Sequence, residues 1–129
     1  MHLDYPGCVR LKKGWEYDVI FRTGSRIKGK LVRLLFLQVP SSETKFGLAI
    51  GKKIGGAVVR NRGRRKLKEA IRHLRPFVKE GYWFVFSLSN SGLNASPEEI
   101  YREIFSMFSD NGFLKDNCHD KVYQWETGS

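Results

Sequence analysis

The chain has 129 residues, of which 41% are hydrophobic and 13% aromatic; this suffices for one domain with a core and excludes a disordered basic tail. Its formal charge of +10 is uneven: residues 1–75 carry 19 basic and 5 acidic side chains, and residues 76–129 carry 4 and 8. No apolar run approaches the roughly 20 residues of a membrane span. The N-terminus lacks the apolar core of a signal peptide, and Cys8 and Cys118 have no metal-type spacing, so a cytoplasmic protein with reduced thiols is expected.

In chain order, residues 12–23 have helical spacing and end at Gly24, which reads as a left-handed C-cap. Basic and apolar residues alternate from Ser25 to Lys30 and lead into a strand over Leu31–Val39, closed by Pro40. From Phe46 to Gly51, Phe46, Leu48 and Ile50 point one way and Gly47, Ala49 and Gly51 the other. The small set predicts either close packing under another element or an open sheet face that a ligand backbone can approach.

A basic helix is predicted over Ala57–Leu74, stopped by Pro76. At about 100° per residue, Val59, Gly63, Leu67, Ala70, Ile71 and Leu74 form its apolar stripe. Arg62, Arg64, Arg65, Lys68 and Arg72 form the opposite arc, with Arg60 at the stripe's edge. Gly63 would let the helix sit close on a sheet. Tyr82–Leu88 reads as a strand covered on both faces. Ser96 to Glu99 spells an N-cap, a proline at the first helical position and a capping-box glutamate. Ile100, Ile104, Met107 and Phe108 give the last helix its buried side. A single domain over residues 1–110 and a loose tail over 111–129 are expected.

The charge pattern is the strongest functional signal. Between Lys52 and Arg75 ten Lys or Arg face one acid, Glu69. Solvated charged helices mix signs to gain i,i+4 pairs; this one hardly does, which points to nucleic-acid phosphates. Lys13, Tyr17 and Phe21, at i, i+4 and i+8, suit single-stranded nucleic acid as a cation beside stacking rings; the alternative is that Tyr17 and Phe21 are core residues. Side-chain catalysis finds little support, since the histidines are scattered and the acids dispersed. Gly47–Lys53 is one residue short of a phosphate loop and has Lys53 in place of its Ser or Thr. A DNA-binding reading lacks helix-turn-helix spacing.

The stretch AIGKKIGGAVVRNRGRRKLKEAIR, Ala49–Arg72, resembles the protein subunit of bacterial ribonuclease P, with its small-residue strand, K-K-[VI]-G, an A-V-x-R-N-R core and a basic amphipathic helix. Upstream, Arg10–Gly29 resembles the family's opening motif, with Tyr17, Ile20, Phe21 and Gly24 in place. The resemblance implies an α+β fold: a single-domain α/β sandwich ordered α-β-β-β-α-β-α. Its four-stranded sheet would have a left-handed βαβ crossover, as in one ribosomal-protein domain.

The implied function is removal of the 5′ leader from precursor tRNA. This is endoribonuclease chemistry giving a 5′-phosphate, performed by a catalytic RNA subunit with Mg²⁺ bound mainly by that RNA and no catalytic residue in this chain. The implied partners are that RNA and the precursor leader, with no membrane and no DNA. Lys52, Lys53, Arg60, Asn61, Arg62, Arg64, Arg65 and Lys68 match the block that engages the RNA subunit. Lys13, Tyr17 and Phe21 match the face lining a cleft for the leader, with Arg33 and Leu35 projecting from the neighbouring strand. The sequence departs from the family at Leu35, where an aromatic is frequent, at Gly63, and at Trp15, where a charge is common. The competing expectation is a non-enzymatic RNA-binding protein of ribosomal-protein type.

Overall fold

The computed structural model describes residues 11, 13–40, 43–51 and 55–115. Helix α1 (Gly14–Thr23) precedes strands β1 (Ser25–Lys28), β2 (Val32–Gln38) and β3 (Lys45–Leu48). Helix α2 (Ala57–Leu74) then leads through a 3-10 turn to β4 (Tyr82–Leu88), the one-turn helix α3 (Asn90–Leu93) and α4 (Pro97–Asp110). The fold is α+β in the expected order. It adds α3, whose first turn is capped by the Ser89 hydroxyl accepting from Gly92 N–H at 3.1 Å.

The sheet runs β1-β2-β4-β3. β1, β2 and β4 pair antiparallel, while β3 joins β4 in parallel, so the connection through α2 links two neighbouring strands. Alternation sorts the side chains onto two faces. On one face, Val32, Leu34, Phe46, Phe84, Phe86 and Leu88 pack beneath Leu67, Ala70, Ile71 and Leu74 of α2 and Ile100, Ile104, Met107 and Phe108 of α4. On the other, Leu11, Ile20 and Val85 form a smaller cluster, with Tyr17, Leu35, Leu37, Ala49 and Trp83 at its margin. β4 is therefore buried on both faces, as its apolar run predicts.

Phe84 centres the larger core, with ring centroids of Phe108 at 4.7 Å, Phe113 at 5.3 Å and Phe46 at 5.8 Å. Truncating such a ring costs about 3–5 kcal/mol. Gly63 does what its place on the stripe predicts. A Cβ there would stand 3.1 Å from Ile50 Cδ1 and Leu93 Cδ2 and 3.2 Å from Leu88 Cδ1, so α2 lies close on the sheet end.

Three expectations need correction. Gly24 is extended (φ −73°, ψ 160°) and is no left-handed cap. A glycine is needed there because a Cβ would stand 2.6 Å from the Ile20 carbonyl and 2.9 Å from that of Phe36. Val59 is 37% exposed and drops out of the buried stripe, because the first turn of α2 overhangs the sheet that Gly63 rests on. Phe113 and Leu114 are buried, and Leu114 bridges to Val78, so the packed chain passes the boundary expected at Asp110. Two apolar residues after a turn glycine are too short a run to signal a core contact. The rest of the expected tail, from residue 116, lies outside the described residues.

Candidate nucleic-acid interface

Cross-strand register builds the site. On the face opposite the main core, three rows run across the sheet: Leu37–Trp83–Lys45, then Leu35–Val85–Gly47, then Lys28–Arg33–Ser87. α1 lies over the middle row. Its Ile20 joins Val85 in the smaller cluster, and a Cβ on Gly47 would come within 2.7 Å of Tyr17 Oη. The helix starts where the Glu16 carboxylate accepts from the Lys13 backbone N–H at 2.9 Å. Glu16, though buried, also pairs with Lys45 at 3.0 Å, which ties the start of α1 to β3. At about 100° per residue Phe21 and Trp15 fall on opposite flanks of Ile20, so α1 divides the face in two.

On Phe21's side is a cleft of about 670 Å³. Its walls are Phe21 from α1, Arg26 and Lys28 from β1, Arg33 and Leu35 from β2, Ser87 from β4, Ala49 and Gly51 after β3, and Arg64 from α2. The two expectations for the small residues are thus divided between positions. Gly47 is small because Tyr17 and Leu11 lie on it, whereas Ala49 and Gly51 keep the cleft open. On the other flank Trp15, 56% exposed, stands 6.0 Å from the Trp83 ring, over which Lys45 Nζ sits at 5.5 Å.

The cleft brings together Phe21, Arg33 and Leu35 from the predicted leader face and Arg64 from the predicted RNA-subunit block. Phe21 is 42% exposed. Tyr17 is half-buried, its ring 6.3 Å from that of Phe21, and its hydroxyl donates to the Leu11 carbonyl at 3.4 Å. It packs on the smaller core, outside the cleft lining, and is no free platform. Lys13 is exposed at the start of α1, outside the cleft lining. On α2, Asn61, Arg62, Arg65 and Lys68 are exposed, and Asn61 Oδ1 accepts from Arg64 Nη1 at 3.0 Å. Arg60 is half-buried and its Nε has no hydrogen-bond partner among the described residues. Lys52 and Lys53 lie outside the described residues.

The interface carries its charge without internal compensation. Among the described residues, no acid lies within salt-bridge distance of Arg26, Lys28, Arg33, Arg60, Arg62, Arg64, Arg65 or Lys68. Arg72, by contrast, is paired with Glu69, which is also 3.3 Å from His73. Arg26, Lys28 and Ser87 are cleft residues that the motif-based reading missed. The signal was available in the alternation about Ile27: hairpin register places Arg26 and Lys28 on the face of Arg33 and Leu35, and Ile27 on the other with Leu34.

A family model described as Ribonuclease P matches residues 5–111. The chain belongs to the ribonuclease P protein family. It is 32% identical over 109 residues to the ribonuclease P protein component of Symbiobacterium thermophilum, covering 84% of this chain and 95% of that one. It is 30% identical over 102 residues to that of Desulfotalea psychrophila, covering 79% and 85%. The fold is similar to that of the Staphylococcus aureus RNase P protein, with a TM-score of 0.71 at 15% identity over 83% of this chain and 98% of that one. It is likewise similar to the Thermotoga maritima RNase P protein, with a TM-score of 0.70 at 17% identity, covering 78% and 96%. Within the ribonuclease P protein fold, then, the cleft and the basic arc of α2 are adjacent. Among the described residues no helix is long and apolar enough to cross a membrane.

Proposed function

We propose that this chain is the protein subunit of a ribonuclease P ribonucleoprotein, the endoribonuclease that removes the 5′ leader of precursor tRNA and leaves a 5′-phosphate. The observation that carries this reading is the shared cleft. It holds an exposed aromatic ring on α1, a cation and an apolar side chain on β2, and a cation from the basic helix. A single strand of RNA offers a base face for Phe21, a phosphate for Arg33 and a sugar or base edge for Leu35. Tyr17 backs this surface, and Lys13 adds charge at the other end of the same helix.

The arc of Arg60, Asn61, Arg62, Arg64, Arg65 and Lys68, with Lys52 and Lys53, binds the RNA subunit. Asn61 steadies the Arg64 guanidinium, which reduces the freedom lost when it meets a phosphate. In this reading bond breaking belongs to the RNA subunit, which also holds most of the Mg²⁺. This chain's part, in the same reading, is to bind and orient. A ribosomal-type RNA-binding protein would share the charge but would not require a cleft continuous with the basic helix.

Reconstitution tests the proposal. Mixed with a bacterial ribonuclease P RNA, the chain is expected to lower the Mg²⁺ needed for precursor cleavage and to favour precursor over mature tRNA. If it does neither, the reading fails.

A further inference from the structure

We propose that the β1–β2 hairpin is a second phosphate-binding wall of the cleft, through Arg26 and Lys28, and that it holds leader nucleotides farther from the cleaved bond than those at Phe21. This rests on the cleft being the leader's path.

Lys28 and Arg33 are directly opposed across the hairpin. Like charges in that position are destabilising, and Arg26 adds a third cation one row away on the same face. None of the three has an acidic partner among the described residues, and all three are exposed. Glu103 does reach the hairpin, but its carboxylate accepts the backbone N–H groups of Lys30, Leu31 and Val32 at 3.1, 2.7 and 2.6 Å. The acid therefore holds the turn in place and leaves the cations uncompensated. A rigid hairpin that presents unpaired cations to a cleft suits a polyanion, which removes the repulsion on binding.

β1 is an edge strand, and cations on an edge also discourage pairing with another chain. That role does not require Arg26 and Lys28 to share one face, nor to line a concavity with Arg64 on its other wall. Since α2 engages the RNA subunit in the proposed reading, a strand that enters beside Arg64 and passes Phe21 reaches the hairpin last.

The test is precursor binding by the reconstituted holoenzyme, using leaders of increasing length and mature tRNA as reference. Each lost single-strand phosphate contact lowers the log–log salt slope by about 0.7, which at ~0.15 M salt is about fourfold in affinity. Arg26→Ala with Lys28→Ala should therefore weaken the longest-leader precursor roughly 15-fold and flatten its slope by about 1.4. The loss should grow with leader length and be absent for mature tRNA, and Arg26→Lys with Lys28→Arg should restore binding. An equal loss for every RNA, or none, overturns the inference while the proposed function stands. A wild-type holoenzyme indifferent to leader length overturns the cleft reading itself.

Discussion

Phe21 and Tyr17 share a stripe in the sequence but not a role in the fold. Spacing at i and i+4 puts two rings on one side of a helix; it does not say how the helix lies on a sheet. Tyr17 lies over Gly47 and joins the smaller core, while Phe21 extends into the cleft. Phe21→Ala should weaken precursor binding by about 1–3 kcal/mol with little change in melting temperature. Tyr17→Ala should in addition cost about 1–3 kcal/mol of folding stability, because it opens a void above Gly47. Paired binding and thermal-melting measurements on both variants check the division, and identical profiles would contradict it. The closely packed Gly63 gives a second residue-scale test. Gly63→Leu must displace Ile50, Leu88 and Leu93 and should cost about 1–3 kcal/mol, read as a lowered midpoint in denaturant.

The long helices and the central strand were legible because each has strong punctuation and a period that its packing enforces. α2 spans the residues that its apolar stripe and Pro76 predict, and α4 begins at the predicted capping box. What could not be read was the junction between elements. Gly24 is a glycine because two carbonyls crowd it, and Leu114 is buried because Val78 pairs with it across the chain; neither contact leaves a local trace. The α4 cap also carries a pH dependence. The Ser96 backbone N–H, then its hydroxyl, hold the Glu99 carboxyl below the usual carboxylate range. A lowered folded-state pKa stabilises above the unfolded value, and that contribution is lost as pH falls through the lowered one. Thermal melts of Glu99→Gln against pH should thus show a flatter acid limb than wild type. Ser96→Ala should cost about 1 kcal/mol through the lost cap.

At the scale of the whole molecule, the charge distribution makes the free protein and the bound protein differ in stability. Arg26, Lys28, Arg33, Arg60, Arg62, Arg64, Arg65 and Lys68 have no acidic partner among the described residues, four of them line one cleft, and their mutual repulsion opposes the compact state. Salt screens that repulsion, with a Debye length of about 10 Å at 0.1 M that shortens as salt is added. The melting temperature of the free chain should therefore rise from low to moderate chloride concentration. RNA adds a second effect, because a ligand bound only by the folded chain stabilises it by mass action. At low salt, stoichiometric ribonuclease P RNA should raise the melting temperature further than chloride alone. High salt should remove that extra gain, because it competes for the same cations. Substituting Arg60, Arg62 and Arg64 by Ala should raise the free chain's stability at low salt and shrink both the RNA-dependent gain and the salt slope of RNA binding, by about 0.7–0.9 per lost contact. Melting scans over a salt series, with and without RNA, separate the two effects. A free chain whose melting temperature is flat in salt would mean that its cations are neutralised from within.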